Sequence, residues 1–193
     1  MNSEQRDQKA SDIVKNHVGY AVSAGLIPIP GADLLAVTAV QLDMLRQLAN
    51  LYQVNFIDNL GKNIITALVG GGAARLLSSG VKLIPGVGTL IGETTMPFLA
   101  GASTFGLGQV ISKHLSGGGT LENFEPLKFK SPFKEAIREN KSAIKDAVVE
   151  QEKTDGPQDD LHTRLKKLGD LRDAGVLTEE EFAKIKEKLI SKI

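Results

Sequence analysis

Gly86-Val87-Gly88-Thr89-Leu90-Ile91-Gly92 is the stretch whose spacing comes nearest to known chemistry. GxGxxxG approaches the glycine pattern with which a strand-to-helix turn cradles a pyrophosphate. Such a turn needs a strand before it and an acid about 20 positions on to hold a ribose. After Glu93 the next acid is Glu122, so close helix packing is the better reading of these glycines. Gly61-Lys62-Asn63 lacks the upstream glycine and the hydroxyl of a phosphate-binding loop, and no GxSxG nucleophile turn occurs. His17, His114 and His162 fall in separate segments without HxxxH or HExxH spacing, and cysteine is absent, so no metal is expected. Nothing in the spacing brings acids such as Asp33 and Asp43 into one cleft. The sequence therefore predicts no catalytic, cofactor-binding or metal residue, and no enzyme. Arg75, Lys82 and Glu93 are the only charges between Lys62 and Lys113. They fit equally a polar path through an apolar hairpin and the wet side of ordinary helices.

The elements that would position any site are helices. Residues 1–10 read as a flexible leader. From Ser11 a helix carries Val14, Val18, Ala21, Val22 and Gly25 on one side, until Pro28 and Pro30 end it. After Gly31 a long amphipathic helix follows, with Val37, Val40, Met44, Leu48 and Leu51 as its apolar stripe and Asp43, Arg46, Gln47 and Asn50 as its wet one. Asn55 and Asp58 suggest a capping box for a third helix, which runs into Gly70-Gly71-Gly72. A second corner, Leu83 to Leu90, repeats the first, with Pro85 and Gly86 standing for Pro30 and Gly31. The fold class expected is all-α, with two tandem helix-corner-helix units of glycine-rich apolar helices. Gly70, Gly71, Gly72, Gly88, Gly92, Ala102 and Gly106 are the candidate close-packing positions, and Pro97 is expected to kink its helix. Thr94 to Ser112 carries no formal charge, close to the roughly 20 residues a bilayer span needs.

Charge divides the chain. Residues 1–119 hold 8 of 23 Lys/Arg and 7 of 23 Asp/Glu, but 17 of 20 glycines. An apolar core over 11–119 is thus followed by a loop and charged amphipathic helix over 120–152. Ser131 and Pro132 would start that helix, which bears Phe133, Ile137, Ile144 and Val148. Residues 153–160 read as a linker and 161–193 as a small helical hairpin. Leu168 and Leu171 line its first helix, Gly175 stops it, Thr178 and Glu181 cap the second, and Phe182 faces back. A formal net charge of 0 gives no reason to expect nucleic acid, and the mixed-charge beginning does not read as a secretory signal.

GLIPIPGADLLAVTAVQLDMLRQLANLYQV, KLIPGVGTLIG and GASTFGLGQVISKHLSGGGTLENF together resemble the YcjF-like, GTPase-associated bacterial family over residues 11–125. LKKLGDLRDAGVLTEEEFAKIKEKLI resembles the SHOCT short C-terminal domain over residues 161–190. The first resemblance implies a membrane protein, accessory to a separate GTPase, at the inner membrane with its charged C-terminal part in the cytoplasm. The second implies homo-oligomerisation. Neither family brings a catalytic residue. The alternative is a soluble, cytoplasmic all-helical adaptor that binds a protein partner without touching lipid.

Overall fold

The computed structural model describes residues 2–26, 32–70, 95–155 and 161–190. Among these residues there are eight α-helices and no strand, so the all-α reading holds. They are α1 (Ser3–Gly25), α2 (Ala32–Tyr52), α3 (Asp58–Ile65), α4 (Thr95–Ser116), α5 (Pro126–Glu139), α6 (Lys141–Asp155), α7 (Leu161–Asp173) and α8 (Glu179–Ile190). A π-helical turn, Thr66–Gly70, continues α3.

α1 begins at Ser3 rather than Ser11. The Gln5 amide donates to Asn2 Oδ1 at 2.8 Å and the Asn2 amide to Gln5 Oε1 at 3.2 Å, a reciprocal cap that extends the helix into the expected leader. Ala10 is buried, and Asp7 accepts a hydrogen bond from the Tyr52 hydroxyl at the end of α2. Partial burial, and then the Asp7 carboxylate, push the Tyr52 phenol above its ordinary range.

Two other expected helix boundaries need correction. Asn55 does not cap α3: Ile57 is the N-cap and makes no side-chain cap bond, while Asp58 pairs with Arg46 at 3.2 Å. Pro97 is the third described residue of α4, and the residues before Thr95 lie outside the described residues. The charged helix starts at Pro126, leaves Pro132 inside, and breaks at Asn140 into α5 and α6. The early start follows from packing. Phe124 stacks on Phe129 at 4.5 Å, and the His114 ring meets both edge-on, which holds the loop after α4 tightly folded.

Contacts along the helices fix their directions. A Cβ built on Gly25 would lie 2.9 Å from Pro97, one on Gly101 2.9 Å from Val22, and one on Gly108 2.6 Å from Val14. The order along α1 and α4 is opposite, so the two are antiparallel. Gln41 donates to the Ser103 and Thr104 hydroxyls, both at 3.1 Å, and Met44 approaches Gly108, so α2 runs parallel to α4. The C-terminal end of α1 and the N-terminal ends of α2 and α4 therefore share one pole of the bundle. Around these three helices Val14, Val18, Val22, Leu45, Leu48, Leu107 and Ile111 form the main core.

Candidate functional site

Two arrangements on this frame are built rather than incidental. The first is a buried polar chain. Asp43, expected on a wet stripe, is 8% exposed because α1 closes over it. Its Oδ2 lies 2.9 Å from His17 Nε2 and accepts from Gln47 Nε2 at 2.7 Å; Arg46 Nη1 reaches Oδ1 at 3.4 Å and continues to Asp58. His17 Nδ1 lies 2.7 Å from the Ile13 carbonyl oxygen, which can only accept, so that nitrogen carries a proton. With a carboxylate facing Nε2 as well, the ring is held by acceptors at both ends. This chain ties α1, α2 and α3 together. Among the described residues no group of three His, Cys, Asp or Glu could hold a metal ion.

The second arrangement is a capped face. Ala21 and Ala24 of α1, Ala36, Val37, Ala39 and Val40 of α2, and Ala100 of α4 form one apolar cluster with Leu168, Leu171, Val176, Leu177, Ile185 and Leu189 of the α7–α8 hairpin. Alanines keep the receiving surface low, which lets the larger hairpin side chains settle on it. The hairpin rests on α1 and α2 near the shared pole. Open clefts of about 380 Å³ and 390 Å³ flank it, the first between α1, α6 and α7, the second between α2, α3 and α8.

The hairpin is locally well specified. The Thr178 and Glu181 side chains exchange hydrogen bonds with each other's amides, at 3.0 and 3.2 Å. Gly175 has φ +74°, and the Val176 amide bonds back to the Leu171 carbonyl at 3.0 Å. A Cβ on Gly175 would meet no atom within 4 Å, so Gly175→Ala isolates the backbone cost of the left-handed conformation. We expect a loss of about 1–2 kcal/mol, read as faster hydrogen exchange confined to α7 and α8.

The residues singled out from sequence fall as follows. Pro28, Pro30, Gly31, Gly71, Gly72, Pro85, Gly86, Gly88 and Gly92, with Arg75, Lys82 and Glu93, lie outside the described residues. Among the described residues Gly70 meets only Thr66 of its own turn, Ala102 is buried in α4, and Gly106 faces Phe133 and Ile137 of α5. Leu168 and Leu171 are buried against the core, and Phe182 lies half-buried under Arg172, 4.6 Å from its ring. Gly25, expected on the apolar side of its helix, makes one of the closest approaches between α1 and α4; the sequence reading does not single out Gly101 and Gly108, which make the others. The seven-residue interval between Gly101 and Gly108, two helical turns on one face, is the signal that could have found them. His162 is exposed on α7, and His114 Nε2 sits 3.0 Å from the Thr120 carbonyl and 2.8 Å from Asn123 Oδ1, a structural role.

Comparison with known proteins agrees with this anatomy. The family described as "Domain of unknown function (DUF697)" matches residues 1–150. The chain belongs to that family. A second family, "Short C-terminal domain" (SHOCT), matches residues 163–190, the α7–α8 hairpin. Both resemblances drawn from the sequence are thereby shown. The magnetosome membrane protein 22 of Magnetospirillum gryphiswaldense is 34% identical over 165 residues, covering 83% of this chain and 84% of its own. No solved structure matches. Among the described residues no helix is long and apolar enough to cross a membrane.

Proposed function

We propose that this is a non-enzymatic, membrane-associated helical protein that self-associates at the inner face of a bacterial membrane and acts as an accessory to a separate GTPase. The observation that carries the reading is the similarity to a magnetosome membrane protein along more than four-fifths of both chains. The segregation of charge supports it: the glycine-rich part is poor in charge, and the tail is rich in it. In this reading Pro28, Pro30, Gly31, Pro85 and Gly86 are the turns of the repeated corners. Gly70, Gly71, Gly72, Gly88, Gly92, Ala102 and Gly106 are packing positions, and the tail hairpin is the interaction module.

Fractionation of the full chain expressed in bacteria tests the membrane component, with high-salt and carbonate washes before detergent. Retention in the pellet until detergent is added is the expected result, since salt removes purely electrostatic association and leaves apolar contact in place. Release by salt, or recovery in the soluble fraction, overturns it and leaves the protein-binding adaptor.

A further inference from the structure

We propose that the alanine-rich face beneath the α7–α8 hairpin is a docking surface for an anionic lipid bilayer, and that the hairpin is its displaceable internal cap. The inference rests on the membrane-associated reading and names the surface that would make the contact.

The face is built mainly of small apolar side chains, Ala21, Ala24, Ala36, Ala39, Val37 and Val40, with Tyr20 packed at its edge. Its apolar character continues past the hairpin's edge. Leu34 is 52% exposed and Leu35 is 36% exposed in the first turns of α2, and Leu35 lines the same cleft as Ala39 and Val176. Lys15 stands in one flanking cleft and Lys62 in the other, and neither holds an ion pair among the described residues. An apolar strip with cations at both margins suits an anionic bilayer, which offers hydrocarbon below and negative headgroups around it.

The hairpin presents much the same chemistry in miniature. Its underside is Leu168, Leu171, Ile185 and Leu189, and its rim in the Lys62 cleft carries Glu180 and Glu181 with Lys184. Clefts flank the hairpin on both sides, and the main core among α1, α2 and α4 is a separate cluster that the hairpin does not enter. A second copy's hairpin placed on the same face would reproduce these contacts and still leave Leu34 and Leu35 in water. An extended surface covers them, and that favours lipid.

The test uses the full chain, whose lack of cysteine allows defined cross-links. Thr38 and Lys184 face each other across one cleft, so Thr38→Cys with Lys184→Cys, bridged by a short bismaleimide, holds the hairpin down. Leu171→Asp with Ile185→Asp, both on the hairpin's buried underside, releases it while leaving the buried residues of α1, α2 and α4 intact. Each protein is floated with phosphatidylcholine vesicles with and without phosphatidylglycerol. Release is expected to raise binding to the anionic vesicles about 5- to 100-fold, the span of an ordinary coupling between sites. The bridge is expected to lower binding below that of the same protein unbridged. Equal flotation of parent, released and bridged proteins overturns the cap while leaving membrane association standing. Absence of flotation from all three, with a soluble parent on fractionation, overturns both. Release that yields a dimer on sizing without any gain in flotation assigns the face to a second copy, and overturns the lipid assignment.

Discussion

Asp43→Ala is expected to destabilise the protein by about 1–3 kcal/mol, because it removes the acceptor that His17, Gln47 and Arg46 share and leaves the buried His17 ring without its hydrogen-bond partner. Asp43 accepts from the Gln47 amide, faces His17 Nε2 at 2.9 Å, and meets Arg46 at its second oxygen. His17 is 1% exposed and cannot turn to water for a replacement acceptor. Arg46 loses less, since its guanidinium is partly exposed and keeps Asp58. The asymmetry between breaking a pair and replacing it gives the control. His17→Phe combined with Asp43→Leu removes both polar ends and substitutes apolar volume, so the double variant should recover much of the loss. Urea unfolding of parent, both single variants and the double variant measures the coupling. Additive losses would mean that the two side chains do not act as a pair.

The second large effect contrasts two glycines in helices. Gly169→Ala in α7 should stabilise by about 0.5–1 kcal/mol, the intrinsic helix preference of alanine, because a Cβ there meets nothing within 4 Å. Gly108→Ala carries the same local preference yet should destabilise by roughly 1–3 kcal/mol, because its Cβ would lie 2.6 Å from one methyl of Val14 and 2.8 Å from the other. Val14 is 1% exposed, and its branched side chain has few rotamers into which it can withdraw. Gly108→Leu should prevent α1 from seating on α4 at all. Val14→Ala opens the space from the opposite side, so Val14→Ala with Gly108→Ala should be more stable than Gly108→Ala alone. Thermal and urea midpoints of the four proteins decide it. A neutral or stabilising Gly108→Ala would mean that α1 and α4 do not approach this closely.

These two sites mark the boundary of what the sequence could disclose. The stripes Val14, Val18, Val22 and Val37, Val40, Met44, Leu48, Leu51 were legible because three- and four-residue spacing is a local property; all are buried except Leu51, which is half-buried at the end of α2. Asp43 was misread as wet because a single helix cannot report a partner 26 positions away; α1 closes over Asp43 alone, while Gln47 and Asn50 of the same stripe stay exposed. Glycine spacing shows where a helix can be approached but not by which neighbour. Gly101 and Gly108 receive α1, while Gly106, between them in sequence, receives α5. Asn2 and Gln5 were a readable cap that the polar character of the first ten residues obscured. The docking of the hairpin on the alanine face was not legible at all. Leu168 and Leu171 announce an apolar side, but nothing local says whether it meets a second copy, another protein or its own core.

The antiparallel pairing of α1 with α4 also bears on synthesis. Val14 and Gly108 are about 90 positions apart, so the most extensive contact of α1 is also among the most distant along the chain. At ribosomal speeds of about 5–20 residues per second, α1 and α2 leave the ribosome several seconds before α4 can join them. During that interval Val14, Val18 and Val22 have no α4 against which to bury. The nascent chain thus offers an apolar helix to whatever stands near the tunnel exit, whether chaperone or lipid, before the mature bundle conceals it.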